Sequence, residues 1–444
     1  MSLGVGAGRI CVDANLPVTS RPTYSGNRCQ MGNRVIADGR SRFERQWQIR
    51  VIPREAFMTD AENVTVARFG VTAERGFLPR EDPIARLPSA LAEWDELASN
   101  LPKLMATGRV RAFLERPPVF EAASLTTQPD IDRAMLILSY LGHAYVWGDV
   151  RPVYRLPAAL AGPWHDVAVR LGRPPVLSYA SYALANWRRV DPDGPVALGN
   201  IVLLQNFAGG IDEEWFILVH VDIEARAGNA LVAIGQAQQA VEHEHPHAVE
   251  IALGTMARAL EGMYQTLARM PEHCDPHVYY RRVRPYIHGW KNNPALPDGL
   301  IYEGVYGGTP QQFAGETGAQ SSIIPALDAA LGVWHGDDPL RPYLLDMRNY
   351  MPPRHRAFLA AIEAGPSIRD YVYQRRADEG LREAYNTCIT WIERFRSRHL
   401  GYAAEYVFRQ AQSSPANPTT IGTGSTPFLP YLRKHRDETA ASLI

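Results

Sequence analysis

A long stretch with helical periodicity near the C-terminus constrains this chain more than any other feature. Apolar and aromatic residues recur at spacings of three and four from Leu381 to Tyr406, which is the period of one buried helix face. His399 falls on that face, within the string RFRSRHLGYAAEY. A neutral imidazole on an inward helix face is either a hydrogen-bonded core residue or an axial ligand of a haem iron. The periodicity alone leaves both interpretations open.

Helical patterns continue over most of the chain after about residue 88. One long helix is predicted from Asp212 to about His243, and another covers PDIDRAMLILSYLGHAYVW, with Pro129 and Asp130 at its start. A further helix is predicted over YASYALANW. Strand signals are few, and the strand-like string IRVIPREAF covers residues 49–57. The pattern predicts an all-α protein, and a length of 444 residues favours more than one domain.

Composition along the chain indicates an arm and a linker. Residues 1–45 are rich in Gly, Arg, Asn and Ser and predict an extended N-terminal arm. The string DPDGP at 191–195 predicts a turn or linker.

Charge and cysteine content exclude several classes of protein. The net charge is -1, which gives no reason to expect a nucleic-acid or membrane partner. The cysteines Cys11, Cys29, Cys274 and Cys388 form no CxxC pair, so neither a zinc finger nor a disulfide framework is indicated. The string HEHPH at 243–247 could suggest a metal site, but its proline and charges favour a solvated helix end. A cytoplasmic location is the default expectation.

Seven strings follow one another in order between about residues 85 and 435. They are HAYVWG (143–148), RPPVLSYASYALANW (173–187), WFILVHVDIEA (215–225), RVRPYIHGWKNNPALPDGLIYEGV (282–305), GETGAQSSIIPALDAALG (315–332), MRNYMPPRHRAFL (347–359) and FRSRHL (395–400). Each string alone is weakly informative. Together, with compatible spacings, they resemble the indoleamine 2,3-dioxygenase family of haem dioxygenases.

The resemblance implies a two-domain, all-α fold in which a small N-terminal helical domain lies over a larger helical domain that holds the haem. On this basis residues 46–205 are expected to form the small domain and residues 206–444 the larger one, with the boundary in the Pro- and Gly-rich connection around 190–208. It implies a dioxygenase that opens the indole 2,3 bond of L-tryptophan to give N-formylkynurenine in the kynurenine pathway. The implied cofactor is haem b, and the implied partners are L-tryptophan or a related indoleamine, dioxygen and an external reductant for ferric haem. Two alternatives stay open: a haem enzyme acting on a tryptophan derivative in secondary metabolism, and a non-catalytic haem- or gas-binding protein.

On the haem side, the resemblance assigns the proximal iron ligand, and hence the metal site, to His399. Arg396, about one helical turn earlier, is implied to pair with Asp328 and to anchor the haem. Thr317 and Gly318 are implied to lie near the haem edge, where a glycine permits close approach.

On the substrate side, the resemblance implies that Arg284 in VRPYIHGW binds the substrate carboxylate, a task that suits a planar and permanently charged guanidinium. Tyr279, Tyr179 and Phe216 are implied to contact the indole, and Tyr279 stands where relatives often carry Phe. Thr423 in IGTGS is implied to hydrogen-bond the charged end of the substrate from a mobile, glycine-rich loop.

His220 is the candidate catalytic residue. Helical spacing places it on one face with Phe216 and Ile223. It is expected to hydrogen-bond either dioxygen or the indole N–H, and a buried structural histidine is the alternative. Because members of the family carry either Ser or His at this position, an obligatory general base is not expected.

Overall fold

The computed structural model describes residues 64–336, 340–410, 422–423 and 428–444. The predicted arm at 1–45 and the strand-like string at 49–57 lie outside these residues. Within the described ranges the chain is mostly helical, which confirms the all-α prediction. Its α-helices are α1 (Val64–Ala67), α2 (Ala92–Ser99), α3 (Leu101–Ala106), α4 (Val110–Leu114), α5 (Gln128–Trp147), α6 (Ala158–Leu171), α7 (Ile211–Glu242), α8 (Pro246–Ala268), α9 (Pro276–Val278), α10 (Arg284–Ile287), α11 (Ile323–Leu331), α12 (Leu340–Met347), α13 (Pro353–Ala364), α14 (Ile368–Gln374), α15 (Glu379–Ala403) and α16 (Phe428–Ala440).

Among the described residues, two short β-ladders join segments that are separated in sequence. Strand β1 (Arg155–Leu156) pairs in parallel with β4 (Ile301–Tyr302). Strand β2 (Trp187–Arg189) pairs antiparallel with β3 (Ile201–Leu203), with Arg188 opposite Val202. The second ladder spans the turn at DPDGP, where the sequence predicted a domain boundary. The division at 190–208 itself stays a prediction.

Helix α5 begins where its sequence places a cap. The side chain of Thr127 accepts a hydrogen bond from the backbone N–H of Asp130 at 3.3 Å, and the Asp130 carboxylate accepts one from the backbone N–H of Thr127 at 2.8 Å. This reciprocal capping box satisfies two otherwise unpaired donors. The helix is buried over most of its length, because it crosses the first of two hydrophobic clusters.

The longest helix, α7, forms the centre of the fold. It has 32 residues and is therefore about 48 Å long. The prediction of a helix from Asp212 to about His243 is confirmed to within a residue at each end. It packs on α8, and α8 packs in turn on α15. Its buried residues occur on several faces, as expected for a helix surrounded by others.

Two clusters of buried apolar side chains meet along α7. One includes Trp94, Leu141 and Trp164 with residues of the early helices, and it also takes in Trp290 and Tyr302. The other joins α8, α11, α13, α14 and α15. Residues of α7 contribute to both clusters. The side chains near the middle of α7 therefore lie where the two clusters meet.

In the part of the chain that the structure describes, three π-helical segments interrupt the regular helices: Ala180–Leu184, Tyr279–Val283 and Ala404–Arg409. The sequence predicted an ordinary helix over YASYALANW, and this prediction is wrong in detail. The chain makes one π-helical turn there and enters β2 at Trp187. Wide turns of this kind frequently occur at functional sites. None of the described helices is long and apolar enough to cross a membrane.

Candidate active site

Aromatic rings from three distant parts of the chain form one continuous wall. The ring of Phe216 on α7 lies 4.7 Å from that of His220 and 4.7 Å from that of Tyr279, measured between centroids. Tyr179 lies 6.0 Å from His220, and Tyr182 lies 6.3 Å from Phe216. The structure thus brings together the predicted indole-contacting residues, two of which lie in or beside π-helical segments.

His399 lies on α15, one turn after the buried Arg396. The sequence placed its ring on a buried face, and here the structure differs, because the side chain keeps exposed surface. Protein atoms nevertheless surround the ring closely enough for desolvation to lower its pKa to about 4, assisted by electrostatic interactions with His220 and Arg396. The imidazole therefore keeps solvent access while lying near His220 and Arg396. At neutral pH the ring is uncharged and keeps a lone pair for a ligand.

The predicted pair of Arg396 and Asp328 is present. The guanidinium of Arg396 donates to the Asp328 carboxylate at 2.6 Å, and both side chains are largely buried. Although burial opposes ionisation, Arg396 and the hydrogen bond from His335 leave the pKa of Asp328 below its ordinary value. Arg396 also donates to Thr439 on α16. The pair therefore fixes α11, α15 and the C-terminal helix beside His399.

A cluster of His335, His435 and Glu438 adjoins this pair, and its possible ligand atoms lie within 4.8 Å of one another. The two imidazole rings stack at 3.9 Å with only 21° between their planes. Because the nitrogen lone pairs lie in the ring planes, stacked rings cannot both point at one ion. His335 already contacts Glu438 at 2.7 Å and Asp328 at 3.2 Å. The cluster thus links α16 to the arginine pair and does not present a metal site. The HEHPH histidines are exposed, as the sequence indicated.

His220 has a defined hydrogen-bonding state. Its Nδ1 lies 2.7 Å from the backbone carbonyl oxygen of Phe216. Since a carbonyl can only accept, Nδ1 carries the proton, and the neutral ring presents Nε2 as an acceptor. Burial lowers the pKa of His220, which keeps the ring neutral at pH 7. Of the two partners expected from the sequence, this tautomer favours the indole N–H, because Nε2 has no proton to donate to dioxygen.

We expect His220→Ala to retain turnover with a several-fold loss, because one neutral hydrogen bond contributes about 1 kcal/mol. The measurement is kcat/KM for L-tryptophan and for its N-methylated indole analogue. The analogue has no N–H to donate, so its turnover should be nearly unaffected by the substitution. Complete loss of turnover with intact haem and substrate binding would instead make His220 an essential base.

Arg284 begins helix α10 and is only 1% exposed. Its guanidinium lies 5.6 Å from the ring centre of Tyr280, and its charge lowers the pKa of Tyr279 against the larger, opposing effect of burial. A buried guanidinium beside the aromatic wall can receive an anionic group with little competition from water. This is the property that a carboxylate-binding residue requires.

The remaining predicted residues have less defined surroundings. The hydroxyl of Thr317 accepts from the backbone N–H of Ala319 at 3.4 Å and caps a short helical turn, Gly318–Gln320. No heavy atom lies within 4 Å of where a Cβ on Gly318 would be, so close approach is sterically open there. Thr423 is half-buried, but most of the predicted loop around it lies outside the described residues.

Glu224 and Glu316 are among the buried glutamates of the described residues, and neither was identified from the sequence. Glu224, one turn after His220, is 1% exposed and accepts hydrogen bonds from the hydroxyls of Tyr179 and Ser321, each at 2.9 Å. It therefore ties α7 to two separate pocket segments. Glu316 is 4% exposed. Glu224 lies in WFILVHVDIEA and Glu316 in GETGAQSS, two of the strings on which the resemblance rests. Glutamates are usually exposed, so the residue type alone did not predict that these two are buried.

Burial raises the pKa of Glu224 to about 7, against the opposing hydrogen bonds from Ser321 and Tyr179. The folded state therefore holds a proton that the unfolded state, with an ordinary carboxyl, has lost. The stabilisation that Glu224 contributes is fully present below about pH 4.5 and is lost as the pH rises through about 7.

We expect Glu224→Gln, which resembles the protonated form, to reduce the loss of unfolding free energy between pH 5 and pH 8. The reduction should approach 3 kcal/mol, on the order given by the shift. Urea unfolding of both proteins at each pH measures it, and equal slopes would contradict the assignment.

The donor set around His399 fits a haem iron. The ring is neutral and accessible, and no hydrogen bond to its nitrogens is found among the described residues. A neutral imidazole is a common axial ligand. Arg396 supplies positive charge one turn away, and His220 lies near enough to interact electrostatically with the ring. These features favour a haem protein in which His399 is the iron ligand.

Comparison with known proteins agrees with this geometry. The family model described as indoleamine 2,3-dioxygenase matches residues 65–442. The chain is 38% identical to indoleamine 2,3-dioxygenase 1 of Rattus norvegicus over 82% of this chain and 92% of that protein. It is 33% identical to indoleamine 2,3-dioxygenase 2 of Homo sapiens over 88% and 98%, and 32% identical to indoleamine 2,3-dioxygenase of Saccharomyces cerevisiae over 84% and 93%.

The fold and the site therefore define a haem-dependent dioxygenase that acts on indoles. The chain belongs to the indoleamine 2,3-dioxygenase family.

Proposed function

We propose that this protein opens the indole 2,3 bond of L-tryptophan with dioxygen and releases N-formylkynurenine. The proposal rests on the position of Arg284. Its guanidinium is buried and lies beside the aromatic wall that includes the ring of His220. A protein that only senses or carries haem would have no need of a buried cation next to an aromatic pocket. An amino-acid substrate needs both a flat apolar surface and a partner for its carboxylate.

In this proposal Arg284 holds the substrate carboxylate in a charge-assisted contact. Phe216, Tyr279 and Tyr179 hold the indole plane. His220 accepts the indole N–H at Nε2, because its Nδ1 proton is already given to Phe216. Holding both ends of the substrate converts an encounter in solution into an oriented reaction.

Haem, when bound through His399, would supply the activation of dioxygen. The protein's part is to keep His399 neutral and in place. Desolvation by the surrounding protein atoms disfavours its protonation, and the pair of Arg396 and Asp328 fixes the adjoining turn of α15. The reaction inserts both oxygen atoms into the product and consumes no net reductant, although ferric haem must first be reduced by an external partner.

The decisive experiment is anaerobic reduction of the purified protein, followed by L-tryptophan and dioxygen, with the product identified by mass spectrometry. N-formylkynurenine carrying two heavy oxygen atoms from labelled dioxygen is the expected result. Haem binding without any ring-opened product would overturn the proposal. A product formed only from a substituted tryptophan would favour the second candidate, an enzyme acting on a tryptophan derivative.

A further inference from the structure

A buried carboxyl joins three separate segments beside the aromatic wall, and the proposed reaction gives it no role. Glu224 on α7 is 1% exposed. Its Oε1 accepts hydrogen bonds from the hydroxyls of Tyr179 and Ser321, each at 2.9 Å. Ser321 follows the short helical turn Gly318–Gln320, and Tyr179 precedes the π-helical segment Ala180–Leu184. Helix α7 and two segments that are distant from it in sequence therefore meet at one oxygen atom.

Tyr179 is held both at its backbone and at the end of its side chain. Its backbone N–H donates to the side-chain oxygen of Gln320 at 2.9 Å, and its hydroxyl donates to Glu224. The amide of Gln320 donates in turn to the carbonyl oxygen of Gly315 at 2.8 Å. Because Tyr179 is only 2% exposed, water has little access to replace either contact. The position of the Tyr179 ring therefore depends on Gln320 and on Glu224.

The ring that Glu224 holds belongs to the aromatic wall. It lies 6.0 Å from the ring of His220, with 73° between the two planes. His220 precedes Glu224 by four residues on α7, which is about one helical turn. The same helix thus carries the histidine proposed to contact the indole N–H and the acid that holds the neighbouring ring. A displacement of Tyr179 would change the space beside His220 that the indole is proposed to occupy.

Loss of the Glu224 carboxyl would leave the hydroxyls of Tyr179 and Ser321 without this partner. An unpaired hydroxyl in a buried position is costly, so the ring of Tyr179 would be driven to move until its hydroxyl met water or another acceptor. Removing the tyrosine hydroxyl together with the carboxyl removes the reason for this movement, because an apolar ring can stay packed in the wall.

We propose that Glu224 is a positioning residue that sets the affinity for the indole substrate by holding the ring of Tyr179 beside His220. This role rests on the proposed function, because it concerns the substrate assigned there. Glu224 acts through Tyr179 and takes no part in the oxygen chemistry.

The test measures haem content, the anaerobic dissociation constant for L-tryptophan, and kcat in the wild type, Glu224→Leu, Tyr179→Phe and the double variant. Burial raises the pKa of Glu224 to about 7, so the measurements are made at pH 6, where the carboxyl is protonated. Glu224→Leu should weaken binding about tenfold and change kcat by less than about threefold, because the cost of an unpaired buried hydroxyl falls on the pocket wall.

The double variant distinguishes this role from a general loss of packing. Tyr179→Phe should weaken binding several-fold, because the ring loses its contact with Glu224. The double variant should bind L-tryptophan about as well as Tyr179→Phe alone, since neither protein contains the unpaired hydroxyl, so the two effects should not add. Glu224→Gln keeps an oxygen acceptor and should bind nearly as well as the wild type.

Glu242→Leu, the same substitution at an exposed position on α7, is the matched control and should bind normally. If Glu224→Leu fails to fold, Tyr179→Phe and Glu224→Gln still test the contact, because wild-type affinity in the first or a tenfold loss in the second would overturn the inference. Additive losses in the double variant would overturn it as well, and so would a fall in kcat with unchanged affinity in Glu224→Leu. If the wild type binds and converts no indole, the proposed function has failed instead.

Discussion

His399→Ala is expected to purify with little or no haem while keeping its helical content. The reason is that His399 is a neutral and accessible imidazole, on a helix position fixed by Arg396 and Asp328. Haem content per chain and the Soret spectrum of the ferrous protein measure the effect. Loss of the axial ligand should abolish turnover.

The matched control is His245→Ala, which alters an exposed histidine at the turn between α7 and α8 and should bind haem normally. Added imidazole should restore part of the haem binding to His399→Ala, because it can fill the position of the lost side chain. Normal haem content and an unchanged axial spectrum in His399→Ala would move the ligand to another residue.

Arg284→Ala is expected to lower kcat/KM for L-tryptophan by about a hundredfold or more, with haem content unchanged. A charge-assisted contact in a desolvated site contributes on the order of 1.5–3 kcal/mol, and a bidentate contact adds to this. Arg284→Lys should recover little, because an ammonium cannot reproduce the planar fork. Arg281→Ala, three residues earlier and exposed, is the control.

A substrate without a carboxylate separates recognition from structure. Indole analogues that lack the amino-acid group should be affected much less by Arg284→Ala than L-tryptophan is. If both kinds of substrate lose activity equally, Arg284 acts by holding helix α10 in place, and the carboxylate contact belongs elsewhere.

The sequence predicted those features that depend on periodicity and on extended motifs. The long helix α7 could be predicted from helical spacing, and the pairing of Arg396 with Asp328 was implied by the resemblance of extended motifs to the family. The accessibility of His399 could not, because a 3.6-residue period tells which face a residue occupies but not whether that face meets another side chain or an open recess. The tautomer of His220 likewise depends on its contact with the backbone carbonyl of Phe216, which the sequence pattern does not specify.

The buried acids illustrate a second limit. Glu224 and Glu316 carry the same side chain as many exposed glutamates in this chain, and a single sequence does not distinguish them. Their burial depends on neighbours contributed by separate segments, such as Tyr179 and Ser321 around Glu224. Tertiary packing, rather than local propensity, decides such positions.

The π-helical segments have a consequence for how this pocket could change. A π-helical turn contains roughly one residue more than an α-helical turn, so it is equivalent to a one-residue insertion. Removing a residue from Tyr279–Val283 would rotate everything beyond it by about 100° and turn Arg284 away from the wall. Removing one from Ala180–Leu184 would re-aim Tyr182 in the same manner. Single-residue insertions and deletions, more than substitutions, are therefore the changes by which evolution or an engineer could redirect this site to a differently shaped molecule.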